Sequence, residues 1–303
     1  MTSPSEPDRR GVALGVGAYV LWGLFPPFFR LLEPAAPAEV LAHRVLWTLV
    51  FMSVVLATVR GWGALRSLSP KGWAMVTAAA ALIAVNWGMF IYAVGVGHVV
   101  EVALGYYIGP LVSVLLGVFV LRERLRPVQW VAVGIAVVAV LVIAVGDGRV
   151  PWLGLGLAVS FATYGLIKKT VALPATASLT AEGVVLAPLA AAYLVALQLA
   201  GTGTLTGHGA GHVALLMSAG PVTAVPLLLY GASARRIPLS MLGTLQYLAP
   251  TLQFLIGVAV FGEAMPAERW VGFGLVWLAL VVFTVDLLRA RPRRDAPVVA
   301  EVH

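Results

Sequence analysis

The chain contains 303 residues, of which 60% are apolar and only 11% are charged, and its mean hydropathy is +0.96. Charged residues make up roughly a quarter of an average soluble protein, so this composition excludes a soluble enzyme or binding domain and predicts a membrane protein. The net charge of +7 would suggest a nucleic-acid ligand in a soluble chain, but here the basic residues lie in short segments between apolar runs. The absence of cysteine excludes disulfide frameworks, thiolate metal sites and cysteine nucleophiles.

Ten mostly apolar runs follow one another along the chain. A transmembrane helix needs about 20 such residues, so the sequence predicts an all-α integral membrane protein with ten transmembrane helices. The first run is too long for the apolar core of a signal peptide, and we expect it to be a helix. The runs cover residues 11–29, 40–59, 72–96, 99–121, 128–145, 150–167, 179–199, 213–231, 237–261 and 270–288.

Lys and Arg residues alternate in density along the segments that separate these runs. Counted from the N-terminus, the odd-numbered segments contain 16 of these residues and the even-numbered segments contain 3, with Arg44 alone inside a run. Because basic residues concentrate in cytoplasmic loops, the pattern predicts that both termini are cytoplasmic, and it supports an even number of spans. We expect residues 290–303 to form a basic cytoplasmic tail.

An internal repeat relates the two halves of the chain. Residues 104–134 align without gaps to residues 244–274, and ten of the 31 aligned positions are identical. The alignment places the fourth and fifth runs on the ninth and tenth, so it predicts two five-helix repeats, at residues 1–146 and 147–289. Because five is odd, the repeats are inverted across the membrane, as in many secondary transporters. The alternative is a duplication that only enlarged the bundle.

Three ionisable residues in the apolar runs are the first candidates for a functional site, since charged groups inside a membrane usually face a cavity or each other. His43 and Arg44 lie one turn into the second run, and Glu101 begins the fourth run at a similar depth. His43 and Arg44 are candidates for substrate binding. Arg44 could hold a carboxylate or phosphate, pair with Glu101 as an outer gate, or extend to the lipid headgroups. Glu101 or His43 could take up a proton.

A second charged group lies in the other half of the chain. Glu182 opens the seventh run near the repeat position of Arg44, and Lys168 and Lys169 end the sixth run at the same predicted face. Glu182 is therefore a candidate for gating or coupling, and a pair with either lysine would form an inner gate. The simpler interpretation is that the lysines extend to the interface and follow the positive-inside rule.

Aromatic and amide side chains within the runs are candidates for the wall of a substrate cavity. The fourth run carries Pro110 and the ninth run carries the matching Pro250, and interruptions at matching places in both repeats indicate a transport site. The aromatic residues could instead pack within the bundle or at the membrane interface, and an amide could join two helices. The candidates are Trp22, Asn86, Trp87, Tyr106, Tyr107, Tyr164, Gln246 and Tyr247.

Motifs for metal, nucleotide or hydrolytic chemistry are missing from the sequence. His208 and His212 are four residues apart, but the surrounding segment is too rich in glycine to indicate a helix, so we expect no metal site. No HExxH, GxSxG or GxxxxGK[ST] motif is present, so we expect no cofactor and neither an enzyme nor an ATP-driven pump. Glu123 and Glu263 are repeat equivalents, which we interpret as turn residues.

Six segments, taken in order, resemble EamA-type permeases of the drug/metabolite transporter superfamily, specifically the RarD (chloramphenicol-sensitive protein) group. The resemblance covers nearly the whole chain. It implies ten helices in two EamA repeats, a location in the bacterial inner membrane and transport of small organic molecules, usually outward, and it does not supply the substrate. It also implies that the fifth and tenth helices lie outside a cavity lined by the other eight. The segments are AYVLWGLFPPFF (18–29), LAHRVLW (41–47), NWGMFIYAV (86–94), EVALGYYIGPL (101–111), LRERLRPVQW (121–130) and SFATYGLIKK (160–169).

Together these features predict a secondary transporter that moves a small organic metabolite or drug by alternating access. Its expected partners are a small-molecule substrate and the lipid bilayer, without nucleic acid, and both a monomer and a homodimer fit. Proton antiport through Glu101, His43 or Glu182, exchange, and facilitated diffusion are all compatible with the sequence. The competing classes are an intramembrane enzyme acting on lipid or lipid-linked substrates, which needs clustered catalytic groups at one depth, and a non-transporting membrane sensor.

Overall fold

The computed structural model describes residues 8–122, 125–171, 173–237 and 239–289, and over these residues the fold consists of helices and their connections without a strand. The tail predicted at 290–303 and Glu123 lie outside the described residues. The helices are α1 Arg9–Gly23, α2 Phe25–Arg30, α3 Pro37–Thr58, α4 Trp62–Arg66, α5 Pro70–Gly95, α6 Val99–Leu121, α7 Pro127–Gly146, α8 Trp152–Thr170, α9 Ala175–Leu199, α10 Gly209–Ala234, α11 Leu239–Leu245, α12 Leu248–Leu255 and α13 Ala267–Arg289, with a π-helical turn at Ile256–Val260.

Seven of these helices, α3, α5, α6, α7, α9, α10 and α13, are long and apolar enough to cross a membrane. Their bounds agree with the runs in the sequence to within four residues, and α6 matches at both ends. Two shorter apolar helices follow, namely α8 and the segment from α12 through the π-helical turn. The described fold is therefore that of an all-helical, multi-pass membrane protein.

Proline breaks the first apolar run into two helices. α1 ends at Gly23, and α2 begins with Pro26 and Pro27 in its first turn. Proline has no N–H group with which to continue the hydrogen-bond ladder of a preceding helix, whereas a helix start does not need that donor. The aromatic residues Phe25, Phe28 and Phe29 therefore belong to a short helix separate from α1.

The ninth run is broken as well, but its repeat equivalent is not. The run at 237–261 is divided between α11, α12 and the π-helical turn. α6, by contrast, continues as a helix through Pro110. The expectation of matching interruptions in both repeats is therefore wrong for the fourth run, because a single proline within a long helix can be accommodated by its neighbours in the bundle.

Helices from the two halves of the chain interleave. α3 packs against α9 and α10, α8 packs against α5 and α6, and α1 packs against α10 and α12. α7 and α13 pack mainly on each other. Their remaining faces carry exposed apolar side chains such as Val137, Leu141 and Val281, which suits contact with lipid.

Two helix crossings require glycine. A Cβ atom on Gly105 of α6 would lie 2.6 Å from the carbonyl oxygen of Gly154 in α8, and one on Gly220 of α10 would lie 2.4 Å from the carbonyl oxygen of Trp47 in α3. The helix backbones touch at these points, as is common between membrane helices. Gly109 lies four residues after Gly105, and a Cβ atom added to it would have no atom within 4 Å. Of these two glycines, only Gly105 is therefore needed for helix packing.

We name the two ends of the bundle after nearby residues. The Asp8 end holds the start of α1 and the C-terminal ends of α3, α6, α8 and α10. The Glu33 end holds the N-terminal ends of α3, α6, α8 and α10. Ion pairs join helices at both ends. Nη1 of Arg236 lies 3.3 Å from Oδ2 of Asp8, and Nε of Arg269 lies 2.9 Å from Oδ1 of Asp147. The distribution of Lys and Arg predicts that the Asp8 end is cytoplasmic.

Candidate functional site

Arg44 lies inside the bundle with almost no exposure. The residue is 3% exposed and follows Pro37, the first residue of α3, by seven positions, which at 1.5 Å per residue is about 10 Å from the Glu33 end. Its Nε donates a hydrogen bond of 2.9 Å to Oγ1 of Thr223 on α10. The Thr223 hydroxyl donates in turn to the carbonyl of Ala219 at 2.8 Å, so its lone pair is held toward Arg44.

Three aromatic rings surround the guanidinium group. The central carbon of Arg44 lies 3.9 Å from the ring centre of Trp87, 5.4 Å from that of Phe25 and 5.3 Å from that of Phe29. A ring face attracts a cation by about 0.5–2 kcal/mol, depending on how far the pair is desolvated. Phe25 and Phe29 belong to α2. We call these four residues and Thr223 the Arg44 site.

No carboxylate pairs with Arg44 in the described part of the chain, where Thr223 is its single hydrogen-bond partner. A buried charge without an opposite charge is costly. A guanidinium group has five N–H donors in a rigid planar fork, which matches the oxygens of a carboxylate or phosphate. The site is therefore suited to receive an anionic group.

A line of aromatic rings leads from the Arg44 site towards the Asp8 end. Tyr106 of α6 is close enough to Arg44 for an electrostatic interaction. Its ring centre lies 6.1 Å from that of Phe90 and 6.2 Å from that of Phe161, and Phe161 lies 6.1 Å from Tyr164. Two sequence candidates, Tyr106 and Tyr164, are thus connected through rings to the Arg44 site.

Asn86 joins two helices. Its Nδ2 donates hydrogen bonds of 3.0 Å both to the carbonyl of Leu157 and to Oγ of Ser160 on α8. Its neighbour Trp87 points to Arg44 instead. Of the two adjacent candidates, the structure assigns one to helix contact and the other to the site.

Trp22 lies at the edge of the Arg44 site. It packs against the apolar cluster that contains Phe25 and Phe29. On its other side its ring centre lies 5.3 Å from that of Tyr19 and 5.9 Å from that of Tyr230. Trp22 therefore links the aromatic residues of α1 and α10 to those of α2.

Tyr107 and Tyr247 belong to a different cluster, formed by α6, α7, α12 and α13. The hydroxyl of Tyr107 lies 2.8 Å from Oγ1 of Thr251, and its ring packs against Trp277 with 6.2 Å between centres. Gln246 is half-buried at the turn between α11 and α12. The structure thus places these two tyrosines in the helix core and not beside Arg44.

Glu101 is engaged with groups other than Arg44. Its Oε2 lies 2.9 Å from Nη2 of Arg149 and 3.3 Å from Nδ1 of His98. Its Oε1 accepts a hydrogen bond of 2.9 Å from the backbone N–H of Leu153, in the first turn of α8. The unpaired N–H groups and the positive dipole end of a helix stabilise a carboxylate at this position. The Arg44–Glu101 gate pair expected from the sequence is therefore not formed in this structure.

Glu182 forms the ion pair that the sequence left as an alternative. The residue is 1% exposed. Its Oε1 lies 2.6 Å from Nζ of Lys168, and its Oε2 accepts a hydrogen bond of 3.1 Å from the hydroxyl of Tyr164. Ser178 completes the network by contacting both Lys168 and Glu182. Lys168 thus turns inward to Glu182 and is not simply an interfacial lysine.

A second buried network lies at the Glu33 end. Glu39, 2% exposed, accepts hydrogen bonds from the N–H of Thr204 at 2.7 Å and from its hydroxyl at 3.1 Å. The Thr204 hydroxyl also lies 2.9 Å from Nε2 of His212. His43 is 2% exposed and interacts electrostatically with Glu39 and His212, and its Nε2 has no hydrogen-bond partner among the described residues.

Sequence reasoning missed Glu39, because it directly precedes the apolar run that begins at Val40. Its spacing of four from His43 places both side chains on one face of a helix, and this signal could have indicated the network. The sequence indicates His212 only as a neighbour of His208, whose ring centre lies 5.4 Å away. Within the described ranges, no three His, Asp or Glu side chains lie together in a way that could hold a metal ion.

A cavity of about 230 Å³ opens at the Glu33 end, and its wall includes Glu101, Asp147, Glu263 and Arg269. Glu263 accepts hydrogen bonds from the N–H groups of the first two residues of α6, the second at 2.8 Å. Burial raises the pKa of the Glu263 carboxyl above its ordinary value, and these N–H groups act in the opposite direction. Each of these charged groups has a partner, so the cavity wall is a junction between helices and loops.

The comparisons with known proteins extend over almost the whole chain. Residues 9–145 match the EamA-like transporter family. The RarD protein of Streptomyces exfoliatus is 51% identical over 95% of this chain and 92% of its own length, and that of Escherichia coli K12 is 41% identical over 95% and 98%. An uncharacterized transporter of Bacillus subtilis, YojE, is 42% identical over 93% and 95%.

A solved crystal structure shares the fold. It superimposes with a TM-score of 0.61 over 92% of this chain and 99% of its own length, at 18% sequence identity. At this identity the likeness concerns the fold alone. The family match and the relatives agree with the resemblance found in the sequence, and the chain belongs to the EamA-like transporter family of the drug/metabolite transporter superfamily, within the group of RarD proteins.

Proposed function

We propose that the protein is a secondary transporter that carries a small organic molecule with an anionic group across the membrane by alternating access. The observation that carries the proposal is the Arg44 site, in which a buried guanidinium faces three aromatic rings and has no carboxylate partner among the described residues. A carboxylate or phosphate of the cargo would supply the missing charge, and the rings would contact its apolar part. An amphipathic amino acid and an acidic aromatic compound both fit this description.

The packing of the helices supports ten spans in two inverted five-helix repeats at 1–146 and 147–289. Under that division, exchanging the equivalent helices of the two repeats turns each of the following contacts into another. The contact of α6 with α8 becomes that of α12 with α1, and the contact of α5 with α8 becomes that of α10 with α1. The contact of α3 with α10 becomes that of α9 with α5. All of these contacts are present. The α7–α13 contact is its own equivalent, and the family match at residues 9–145 coincides with the first repeat. Inverted repeats allow two related states that open to opposite sides.

The expected setting is the bacterial cytoplasmic membrane, because the relatives compared above come from bacteria. The distribution of basic segments supports cytoplasmic termini. Export is the usual direction in the superfamily, and we adopt it for this chain. Membership in a transporter family favours transport over an intramembrane enzyme.

Counterflow in liposomes tests the proposal. The purified chain is reconstituted and offered labelled organic acids, amino acids, aromatic drugs and sugars, each with and without unlabelled solute inside. We expect counterflow of a solute that bears an anionic group. Arg44→Gln should reduce it by about 100-fold, since loss of a charge-assisted bidentate contact costs on the order of 3 kcal/mol. Arg44→Lys should reduce it as well, because an ammonium cannot reproduce the planar fork.

Arg66 provides the matched control, because it is an exposed arginine of the short helix α4. Arg66→Gln should retain full counterflow. Equal transport of the active solute by the parent chain and by Arg44→Gln would overturn the role of Arg44 in cargo binding.

A further inference from the structure

Three titratable side chains meet in the buried network at the Glu33 end. Glu39 and His43 precede Arg44 on α3 by five residues and by one residue, and His212 belongs to α10. The carboxylate of Glu39 has no Lys or Arg partner among the described residues, and its contacts are the N–H and hydroxyl groups of Thr204. The Nε2 atom of His43 is fully buried without a hydrogen bond to any described group. Leaving a buried polar atom unsatisfied costs about 1–3 kcal/mol, so this arrangement stores an unused proton acceptor next to a buried carboxylate.

We propose that Glu39, His43 and His212 form a proton-binding site, and that a proton bound there weakens the contact between Glu39 and Thr204 and opens the Glu33 end of the bundle. Among the described residues of the network, no Lys or Arg supplies a permanent positive charge to Glu39. Thr204 belongs to the connection between α9 and α10, while Glu39 belongs to α3. The Glu39–Thr204 contact therefore ties the two proposed repeats together at this end.

The surroundings of His43 define the electrostatics of the site. Glu39 acts on it from one turn earlier in α3, and His212 acts on it from α10. The ring of His208 packs at a tilt against that of His212 at the start of α10. Arg44 follows His43 directly on α3. Among the described residues of α2, α5 and α9, no other charged group acts on His43.

The proton balance is simple. One proton enters, and it binds either to the free nitrogen of His43 or to the Glu39 carboxylate. An imidazolium at His43 attracts Glu39 and competes with Thr204 for its oxygens, and a protonated Glu39 is a weaker acceptor for the Thr204 donors. Both microstates weaken the same contact, as expected for coupled groups that titrate as a unit.

The site would also couple the proton to the cargo, and this part rests on the proposed transport function. A proton on the network adds positive charge, or removes negative charge, beside Arg44. An anion at Arg44 and a proton at the network would then each favour binding of the other, because coupling between two sites is reciprocal. With export as the direction, cargo that leaves down its own gradient would carry the proton outward with it. The proton site itself does not depend on the identity of the cargo.

Cysteine labelling tests the site directly, since the chain contains no cysteine of its own. Val40 is 2% exposed, follows Glu39 on α3 and serves as the reporter in a Val40→Cys variant of the full chain in detergent. Thr206 is exposed in the same connection as Thr204 and corrects, as Thr206→Cys, for the pH dependence of the thiol reaction. The labelling rate of Val40→Cys relative to Thr206→Cys is measured with a maleimide between about pH 5.5 and pH 8.5.

We expect the relative rate to be about fivefold or more higher at the acidic limit. Adding Glu39→Gln should make it high at both limits, because the neutral amide mimics the protonated state. Adding His43→Gln should move the acidic rise to lower pH or reduce it, because only the Glu39 carboxylate can then take up the proton. Glu33→Gln, which changes an exposed glutamate at the same end, should leave the parent response unchanged. If Val40→Cys is not monodisperse, Leu216→Cys on α10 takes its place, since Leu216 is also fully buried.

A flat profile in the parent chain overturns the proposal, and so does a pH response that survives in Glu39→Gln or that is unchanged in His43→Gln. Labelling needs no cargo, so its outcome is independent of the counterflow assay. A flat labelling profile with active counterflow would remove the proton site and leave the carrier. A pH-dependent profile without counterflow of any solute would support the proton site and contradict the proposed transport function.

Discussion

Nζ of Lys168 lies 2.6 Å from Oε1 of Glu182, so a buried ion pair joins α8 to α9. Glu182 follows Ala175, the first residue of α9, by seven positions, and Arg44 follows Pro37 at the start of α3 by the same number. In the inverted arrangement each repeat would therefore hold one charged residue at equal depth below opposite ends. Of these two residues, Glu182 has an oppositely charged partner among the described residues and Arg44 has none. Under the proposed function, a cargo anion would complete the pair at Arg44.

Breaking the Lys168–Glu182 pair should destabilise the protein more than removing both charges. Lys168→Met leaves a carboxylate that is almost fully buried with only Tyr164 and Ser178 as partners, and an uncompensated buried charge costs about 3–5 kcal/mol. We expect the apparent melting temperature in detergent to fall by several degrees in Lys168→Met, and to recover in the double variant with Glu182→Gln. Additive losses in the double variant would mean that the two residues do not act as a pair.

Gly105 and Gly109 offer a matched comparison on one helix. Gly105→Ala places a Cβ 2.6 Å from the carbonyl oxygen of Gly154, a backbone atom that cannot move without shifting α8. Gly109→Ala meets no atom within 4 Å and gains the helix propensity of alanine, about 1 kcal/mol. We expect a lower melting temperature for the first variant and an equal or higher one for the second. Equal melting temperatures would show that α6 and α8 do not touch at Gly105.

Hydropathy and spacing predicted the positions of the long helices well, because burial in lipid imposes about 20 apolar residues whatever the packing. The bounds of α6 coincide with the run at 99–121. The breaks after Gly23 and at Tyr247 could not be seen in the same way, since hydropathy does not show where a long run is divided between two helices. Whether a proline breaks a helix depends on its neighbours in the bundle, as the intact helix around Pro110 shows.

The candidate site was predictable only in part. Arg44 is conspicuous in the sequence because a charge within an apolar run is rare. Its partners were not, since Thr223 lies 179 residues away and the order of helices in the bundle decides which side chains meet. For the same reason Glu101 contacts the start of α8 and not Arg44, although the sequence places both residues at a similar depth.

Thr223 and Thr48 should respond in opposite ways to the same substitution. Thr223→Val removes the acceptor for Nε of Arg44, and leaving a charged donor unsatisfied costs about 1.5–3 kcal/mol. Thr48 is buried, but its hydroxyl has no hydrogen-bond partner among the described residues, so Thr48→Val removes a desolvation cost. We expect Thr223→Val to lower both the melting temperature and counterflow, and Thr48→Val to preserve or raise the melting temperature. A neutral Thr223→Val would mean that the hydroxyl does not hold Arg44.

The orientation of the bundle can be read with two single cysteines, because the chain has none of its own. Ser67 is exposed in the connection between α4 and α5 at the Asp8 end, and Thr206 is exposed between α9 and α10 at the Glu33 end. In intact cells, an impermeant maleimide should label Thr206→Cys but label Ser67→Cys only after permeabilisation, because basic segments stay in the cytoplasm. The reversed pattern, or equal labelling of both, would contradict cytoplasmic termini. With the expected pattern, the Arg44 site lies nearer the outer surface, and the proton site at the Glu33 end would sample the external pH.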